Sequence, residues 1–161
     1  MYPLGRMRCT KLSYLIHRKA GDGLEGYLKK AAGPYNPKTK YAGAEAIAQK
    51  KRYVRHHKAG GFDGFVADKN VQEAKDYFAK WYPGMTAWVE QFRFKKNEEL
   101  ECLATVDMAM RDILNQRGTA NLDSVRALIA SEPEWRPKLE RTAFSHPEIS
   151  AAIAKCQELF P

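Results

Sequence analysis

YLKKAAGPYNPKTKYAGAEAIAQKKRYVRHHKAGGFDGFV, Tyr27 to Val66, is the stretch whose reading decides the fold. Gly33-Pro34 is turn punctuation, and Gly33, Pro34 and Tyr35 are assigned to a structural turn. Asn36-Pro37 reads as a helix start. The Asn side chain caps free amides, and Pro fits the first helical position because it has no amide hydrogen to satisfy. That helix runs from about Pro37 to Lys51, with a narrow apolar stripe of Tyr41, Ala44, Ile47 and Ala48. Tyr53–His57 and Phe62–Val66 read as two short strands, and Lys58-Ala59-Gly60-Gly61 suits the turn between them. Upstream, Arg6–Lys19 reads as a helix with Met7, Leu12, Leu15 and Ile16 on one face and Gly21 as its stop. Leu24–Lys29 is a short extended segment. Helix, turn, helix and hairpin are the element order of a winged helix-turn-helix.

The same stretch carries most of the charge. The chain has 161 residues and a formal net charge of +8. Residues 29–58 alone hold nine cations, Lys29, Lys30, Lys38, Lys40, Lys50, Lys51, Arg52, Arg55 and Lys58, against the single anion Glu45. The flanking segments 1–28 and 59–161 carry nets of +3 and −3. A basic patch confined to one segment points to a polyanion or to a solvated face.

Beyond Asn70 the pattern is helical. Val71, Ala74, Tyr77, Phe78 and Trp81 define one apolar face that Pro83-Gly84 ends, and Met85–Phe94 forms another short helix. Leu100, Leu103, Val106, Met110, Ile113 and Leu114 follow three-four spacing over Asn97–Gln116. Asn121–Ala130 is a shorter helix, and Pro147 opens the last one. The expected architecture is mainly α with a small β-hairpin. A winged helix-turn-helix-like basic half (1–67) is followed by a helical half (70–161), with residues 1–161 forming a single domain. The apolar content of 44% is ordinary for a globular chain. No apolar run approaches the roughly 20 residues of a membrane-spanning helix, and the start has no signal-peptide pattern, so a cytoplasmic location is expected.

The search for chemistry returns no catalytic constellation, cofactor motif or metal site. Cys9, Cys102 and Cys156 are odd in number and unspaced for zinc or a disulfide framework, and Cys102 and Cys156 fit buried thiols. His56 and His57 are strand neighbours, so their rings point to opposite faces and do not share one ion. Asp63, Glu73 and Lys75 echo a magnesium nuclease pattern only loosely, because Glu73 and Lys75 fall on a helix where i and i+2 diverge. No phosphate-binding glycine loop or nucleophile elbow is present. The chain therefore reads as a non-enzyme. The aromatics Trp81, Tyr82, Trp88, Phe92 and Phe94 fit a core better than a docking surface.

Two stretches carry a family resemblance. Lys30, Ala31, Ala32, Gly33, Pro34 and Tyr35 form a basic-Ala-Ala-Gly-Pro-aromatic turn, and Tyr53 is an aromatic start to the hairpin. Leu103, Ala104 and Thr105, with Asp112 before Ile113 and Leu114, mark the later helix. These resemble a small domain at the C-terminal end of some type I restriction–modification subunits, usually specificity or methylase-associated chains, and some stand-alone bacterial proteins. One departure is that the family's aromatic-Ala-x-x-Trp core is replaced by Val106-Asp107-Met108-Ala109-Met110. The resemblance implies a DNA-restriction context, with restriction–modification subunits as partners. It implies neither cleavage, methylation nor sequence choice by this chain.

The expected function is a non-catalytic accessory domain that binds DNA backbone or organises a DNA-bound complex. Lys29, Lys30, Lys38, Lys40, Lys50, Lys51, Arg52, Arg55 and Lys58 are its expected contacts to duplex DNA. Contacts of this kind position a protein without reading sequence. The alternative is a protein-docking module, antitoxin-like or a subunit adaptor, that leaves DNA alone.

Overall fold

The computed structural model describes residues 3–21, 24–38 and 43–161. Its elements run α1 (Arg6–Ala20), β1 (Leu28–Lys30), β2 (Gly33–Tyr35), α2 (Ala44–Lys50), β3 (Val54–Ala59), β4 (Phe62–Ala67) and α3 (Val71–Trp81). There follow α4 (Met85–Glu90), α5 (Asn97–Asn115), α6 (Leu122–Ser131), two short 3-10 turns (Arg136–Glu140 and Thr142–Phe144) and α7 (His146–Leu159). The chain is mainly α with two small antiparallel hairpins among the described residues.

α5 organises the core. Eight successive residues, Leu100 to Asp107, are buried, so this helix is covered on every side rather than along one stripe. α1, α6, α7 and β2 pack around it. Tyr14, Leu15, Phe92, Val125, Ile129, Trp135, Phe144 and Ile149 fill the spaces between them. Cys102 and Cys156 are buried thiols, and burial pushes Cys102 up to about 12. The helix ends follow local chemistry. Gly21 closes α1 in the left-handed region at φ 78°. The Asn121 side chain caps α6 by accepting from the Ser124 amide at 2.9 Å.

β1 and β2 pair as Leu28 with Tyr35, Lys29 with Pro34 and Lys30 with Gly33. The reversal is therefore at Ala31-Ala32, and this corrects the turn expected at Gly33, Pro34 and Tyr35, which form the returning strand. The physical reason is packing. Gly33 has φ 104°, and a Cβ there would meet Thr105 Oγ1 of α5 at 3.2 Å. The glycine lets the strand approach α5, and the flanking alanines make the bend.

The second hairpin follows its turn chemistry, with Gly60 at φ 56° and Gly61 at φ 80° between β3 and β4. Within the helix expected over Pro37–Lys51, Lys38 is helical, residues 39–42 lie outside the described residues, and α2 runs Ala44–Lys50 after Gly43. Tyr41 and Lys40 lie outside the described residues. The Asn36 side chain does cap locally, accepting from the Lys38 amide at 3.0 Å. The apolar stripe expected on this helix is not a core face, since no residue of α2 is buried and Ile47 is 53% exposed. α2 is seven residues long, and among the described elements its main packing is on β3.

α2 and the β3–β4 hairpin form a lobe whose buried Phe65 and Val66 stand apart from the main core cluster. The lobe is tied to the N-terminal segment by the Leu4–Phe65 bridge, with backbone bonds of 2.8 and 3.0 Å, and by the Arg6–Glu45 pair at 2.6 Å. An extra hairpin, β1–β2, stands between α1 and α2, where a winged helix-turn-helix has a tight turn. α3 also departs from expectation. Its face is amphipathic in sequence yet has no buried residue, because its main neighbour among the described elements, the short α4, leaves Tyr77, Phe78 and Trp81 largely exposed. No described helix is long and apolar enough to cross a membrane.

Candidate functional site

The described cations expected to form one patch do not share one environment: Lys29 and Lys30 lie on β1, whereas Lys50, Lys51, Arg52, Arg55 and Lys58 lie along α2 and β3. On β1, Lys29 and Lys30 face carboxylates contributed from over 80 residues away. Lys29 Nζ lies 2.7 Å from Asp112 and 3.1 Å from Glu132. Partial burial disfavours its charge, but the two carboxylates outweigh that and hold its pKa above the usual lysine value. Lys30 Nζ donates to Glu134 at 3.0 Å, and the other Glu134 oxygen accepts from the Ala31 amide at 3.1 Å. The buried Trp135 indole donates to the Lys30 carbonyl at 3.0 Å.

A buried charged cluster completes this clamp. The Lys138 ammonium, 2% exposed, donates to both the Ala31 carbonyl and Glu101. Arg141 forms a two-pronged pair with Glu101 at 2.8 and 3.1 Å. Burial raises the Glu101 pKa, yet the bonds from Arg141 and Lys138 bring it below the usual glutamate value. The Lys30-Ala31-Ala32-Gly33-Pro34-Tyr35 run is thus an intramolecular docking motif. Its cation and carbonyls are held by Glu134, Trp135 and Lys138, at and just before the first 3-10 turn.

On the lobe the cations have a different environment. Lys50, Lys51 and Arg55 lie within six positions across the α2–β3 junction and are all exposed. None of the three forms an ion pair with a described residue. Arg52 is bound to Asp68 at 3.2 Å. The Lys69 amide, then Arg52 and Arg55, hold the Asp68 carboxyl below its usual value. Lys58 is 75% exposed, with Asp63 at 3.6 Å. Lys38 is exposed beyond the end of β2.

His56 and His57 fall on opposite faces of β3, opposite Phe65 and Gly64 respectively. His56 pairs with Asp63, so that carboxylate is engaged by the hairpin itself. Glu73 and Lys75 sit on α3. No group of three or more metal-ligating side chains is assembled among the described residues.

Two buried carboxylates, Glu101 and Asp107, escaped the sequence reading. Asp107 is 2% exposed and accepts from Tyr14 at 2.7 Å and from Arg18 at 3.1 Å. Burial raises its pKa despite those bonds. It lines a shallow cavity of about 360 Å³ with Arg18, Arg111 and Phe160. The one sequence signal was the break in the expected aromatic pattern at Val106-Asp107-Met108. The geometry there is that of a satisfied buried ion pair, with no nucleophile beside it. Compared with known proteins, the chain matches no family model and no curated sequence.

Proposed function

We propose that this chain is a non-catalytic accessory domain of a restriction–modification-type system, acting in the cytoplasm and gripping duplex DNA by its backbone. Lys50, Lys51 and Arg55 make the contacts, with Lys58 at the edge of the same lobe. The observation that carries this reading is the division of the cations. Lys29 and Lys30 are neutralised within the fold, whereas the three at the α2–β3 junction are exposed on a lobe outside the main core and unpaired among described residues. Lys50, Lys51 and Arg55 are close in the chain and repel one another, with Asp68 acting on Arg55 only at longer range than an ion pair, and a phosphate backbone relieves that repulsion while releasing its counterions. A few phosphate contacts without base contacts give positioning rather than sequence choice.

The test is fluorescence anisotropy with a labelled random-sequence duplex, titrated at several salt concentrations. Three to four contacts predict a log–log salt slope of about −3 to −4 for the unmodified chain. Reversal of Lys50, Lys51 and Arg55 to Glu removes binding, whereas Lys155→Glu, on α7, leaves the slope unchanged. Binding that survives the triple reversal ends the proposal. The docking-module alternative is favoured by a separate observation, the uncovered aromatic face of α3.

A further inference from the structure

α3 is an 11-residue helix with no buried residue. Tyr77, Phe78 and Trp81 are 54%, 38% and 60% exposed, and their rings lie on the same side as Val71 and Ala74. Isolated helices of this length are marginal in water, and most helical stability comes from packing an apolar face. This face has sequence amphipathicity, but its main described neighbour, the short α4, leaves its three rings largely in solvent. We propose that it pairs with the same face of a second copy of this chain, as an antiparallel, two-fold α3–α3 contact.

Two features of the helix select a second copy as the occupant. The first is shape. When two such helices lie antiparallel about their centres, Val71 stands opposite Trp81 of the second copy and Ala74 opposite its Phe78. Each small side chain then receives a large one. The second is charge. Glu73, in the first turn, and Lys80, in the last, are seven positions apart and so flank the apolar face on one edge. In a two-fold antiparallel pair that edge meets itself, so each Glu73 meets the Lys80 of the second copy, two equivalent pairs in all. Lys80 already lies over the Trp81 ring, 5.0 Å from its centre, so its charge is held at the rim of the contact. Lys75 stands on the other edge, exposed, where its long side chain reaches solvent.

The area sets the strength. Rings that bury about 150–250 Å² each when fully covered, here near half exposure, supply on the order of 600 Å² for the pair. That is under the roughly 1,200 Å² of a stable interface, so the dimer is weak and reversible, with a dissociation constant on the order of 10–100 μM. The contact uses none of Lys50, Lys51 and Arg55, and it stands or falls separately from nucleic-acid binding.

Sedimentation equilibrium of the full chain, from about 5 to about 500 μM, tests it against the expected affinity. The weight-average mass rises with concentration from the 18.3 kDa of one chain towards twice that value. Trp81→Ser lowers the association constant about tenfold or more, with the far-UV circular dichroism unchanged because no core residue is touched. Glu73→Lys alone and Lys80→Glu alone each lower it by about three- to tenfold, and the two together restore it to within about twofold. Restoration by the double exchange is the outcome that only self-pairing on this edge gives. A chain that stays monomeric throughout overturns the proposal, as does a double exchange no better than either single change.

Discussion

Two lysine-bearing hairpins of one chain are built alike and used differently. β1–β2 and β3–β4 are both two-stranded, antiparallel and led by a basic strand. In the first, Lys29 and Lys30 meet Asp112, Glu132 and Glu134, and the bend rests on a buried Lys138–Glu101–Arg141 cluster. In the second, the turn is solvated, Phe62 beside it is 57% exposed, and Arg55 and Lys58 point outward. A lysine's local sequence does not reveal which of these it is. What decides is whether the fold brings a carboxylate to it, and that carboxylate is encoded elsewhere.

The comparison breaks most sharply at Glu101. It is 5% exposed and is the acceptor shared by Lys138 and Arg141. Glu101→Gln leaves a buried ammonium without its counter-charge, and the expected loss is about 3–5 kcal/mol by denaturant unfolding. Adding Lys138→Met removes that stranded charge and recovers part of the loss. A double variant as unstable as Glu101→Gln would show that the cluster is not the origin of the effect.

The glycines sharpen the contrast at the next level. Gly33→Ala forces a side chain into positive φ and against Thr105, for an expected cost of about 1–3 kcal/mol. Gly61→Ala meets the same kind of backbone restriction, at φ 80°, but nothing within 4 Å. Its cost is the conformational part alone, about 1 kcal/mol. Equal losses in the two variants would mean that the approach of β2 to α5 contributes nothing.

Acid separates the hairpins by a third route. Glu101 and Glu134 both have pKa values below the ordinary 4.5. At Glu134 the cause is first the Lys30 hydrogen bond. At Glu101 the bonds from Arg141 and Lys138 override the opposing effect of burial. A carboxyl with a lowered folded-state pKa contributes stability that is full above its unfolded value and is lost as pH falls through the folded one. The thermal midpoint should therefore hold from pH 7 to about 5 and drop below about 4.5, with a shallower drop in Glu101→Gln. The opposite limb belongs to Lys29, whose raised pKa keeps the clamp charged until pH rises beyond its ordinary 10.5.

Much of the scaffold was legible in the sequence because its signals are local. Three-four spacing placed α5, Asn121 and Pro147 marked helix starts, and Gly60-Gly61 marked the β3–β4 turn. The burial of Cys102 and Cys156 followed from the helical pattern around them. The clearest errors involve distant partners. Gly33-Pro34 carries a turn signal, but the reason for the glycine is Thr105, 72 positions later in the chain. The cations from Lys29 to Lys58 are adjacent in sequence, but Asp112, Glu132 and Glu134 take two of them into the fold. Periodicity finds the apolar face of α3 correctly, yet it reports amphipathicity and not what lies opposite. Phe92 is buried and Phe94 is 93% exposed, two residues apart, for the same reason.

The smallest expected effect on stability is the most discriminating for function. Lys29→Ser removes a pair that is a quarter exposed and held by two carboxylates, and it should cost up to about 1 kcal/mol. Lys50→Ser, Lys51→Ser and Arg55→Ser remove charge from solvent, and each should stay within about 0.5 kcal/mol of the parent. Salt should divide them in the opposite sense. The clamp contacts are short and partly shielded, so adding salt changes the unfolding midpoint little, whereas long-range attraction to a phosphate backbone is screened within a Debye length of about 10 Å at 0.1 M. If the α2–β3 cations were instead part of the fold's own support, the three serine variants would lose stability as Lys29→Ser does, and the loss would carry over to high salt. Equilibrium unfolding of all four variants at two salt concentrations decides between the two, because a cation committed to a partner outside the chain contributes nothing to holding the chain together.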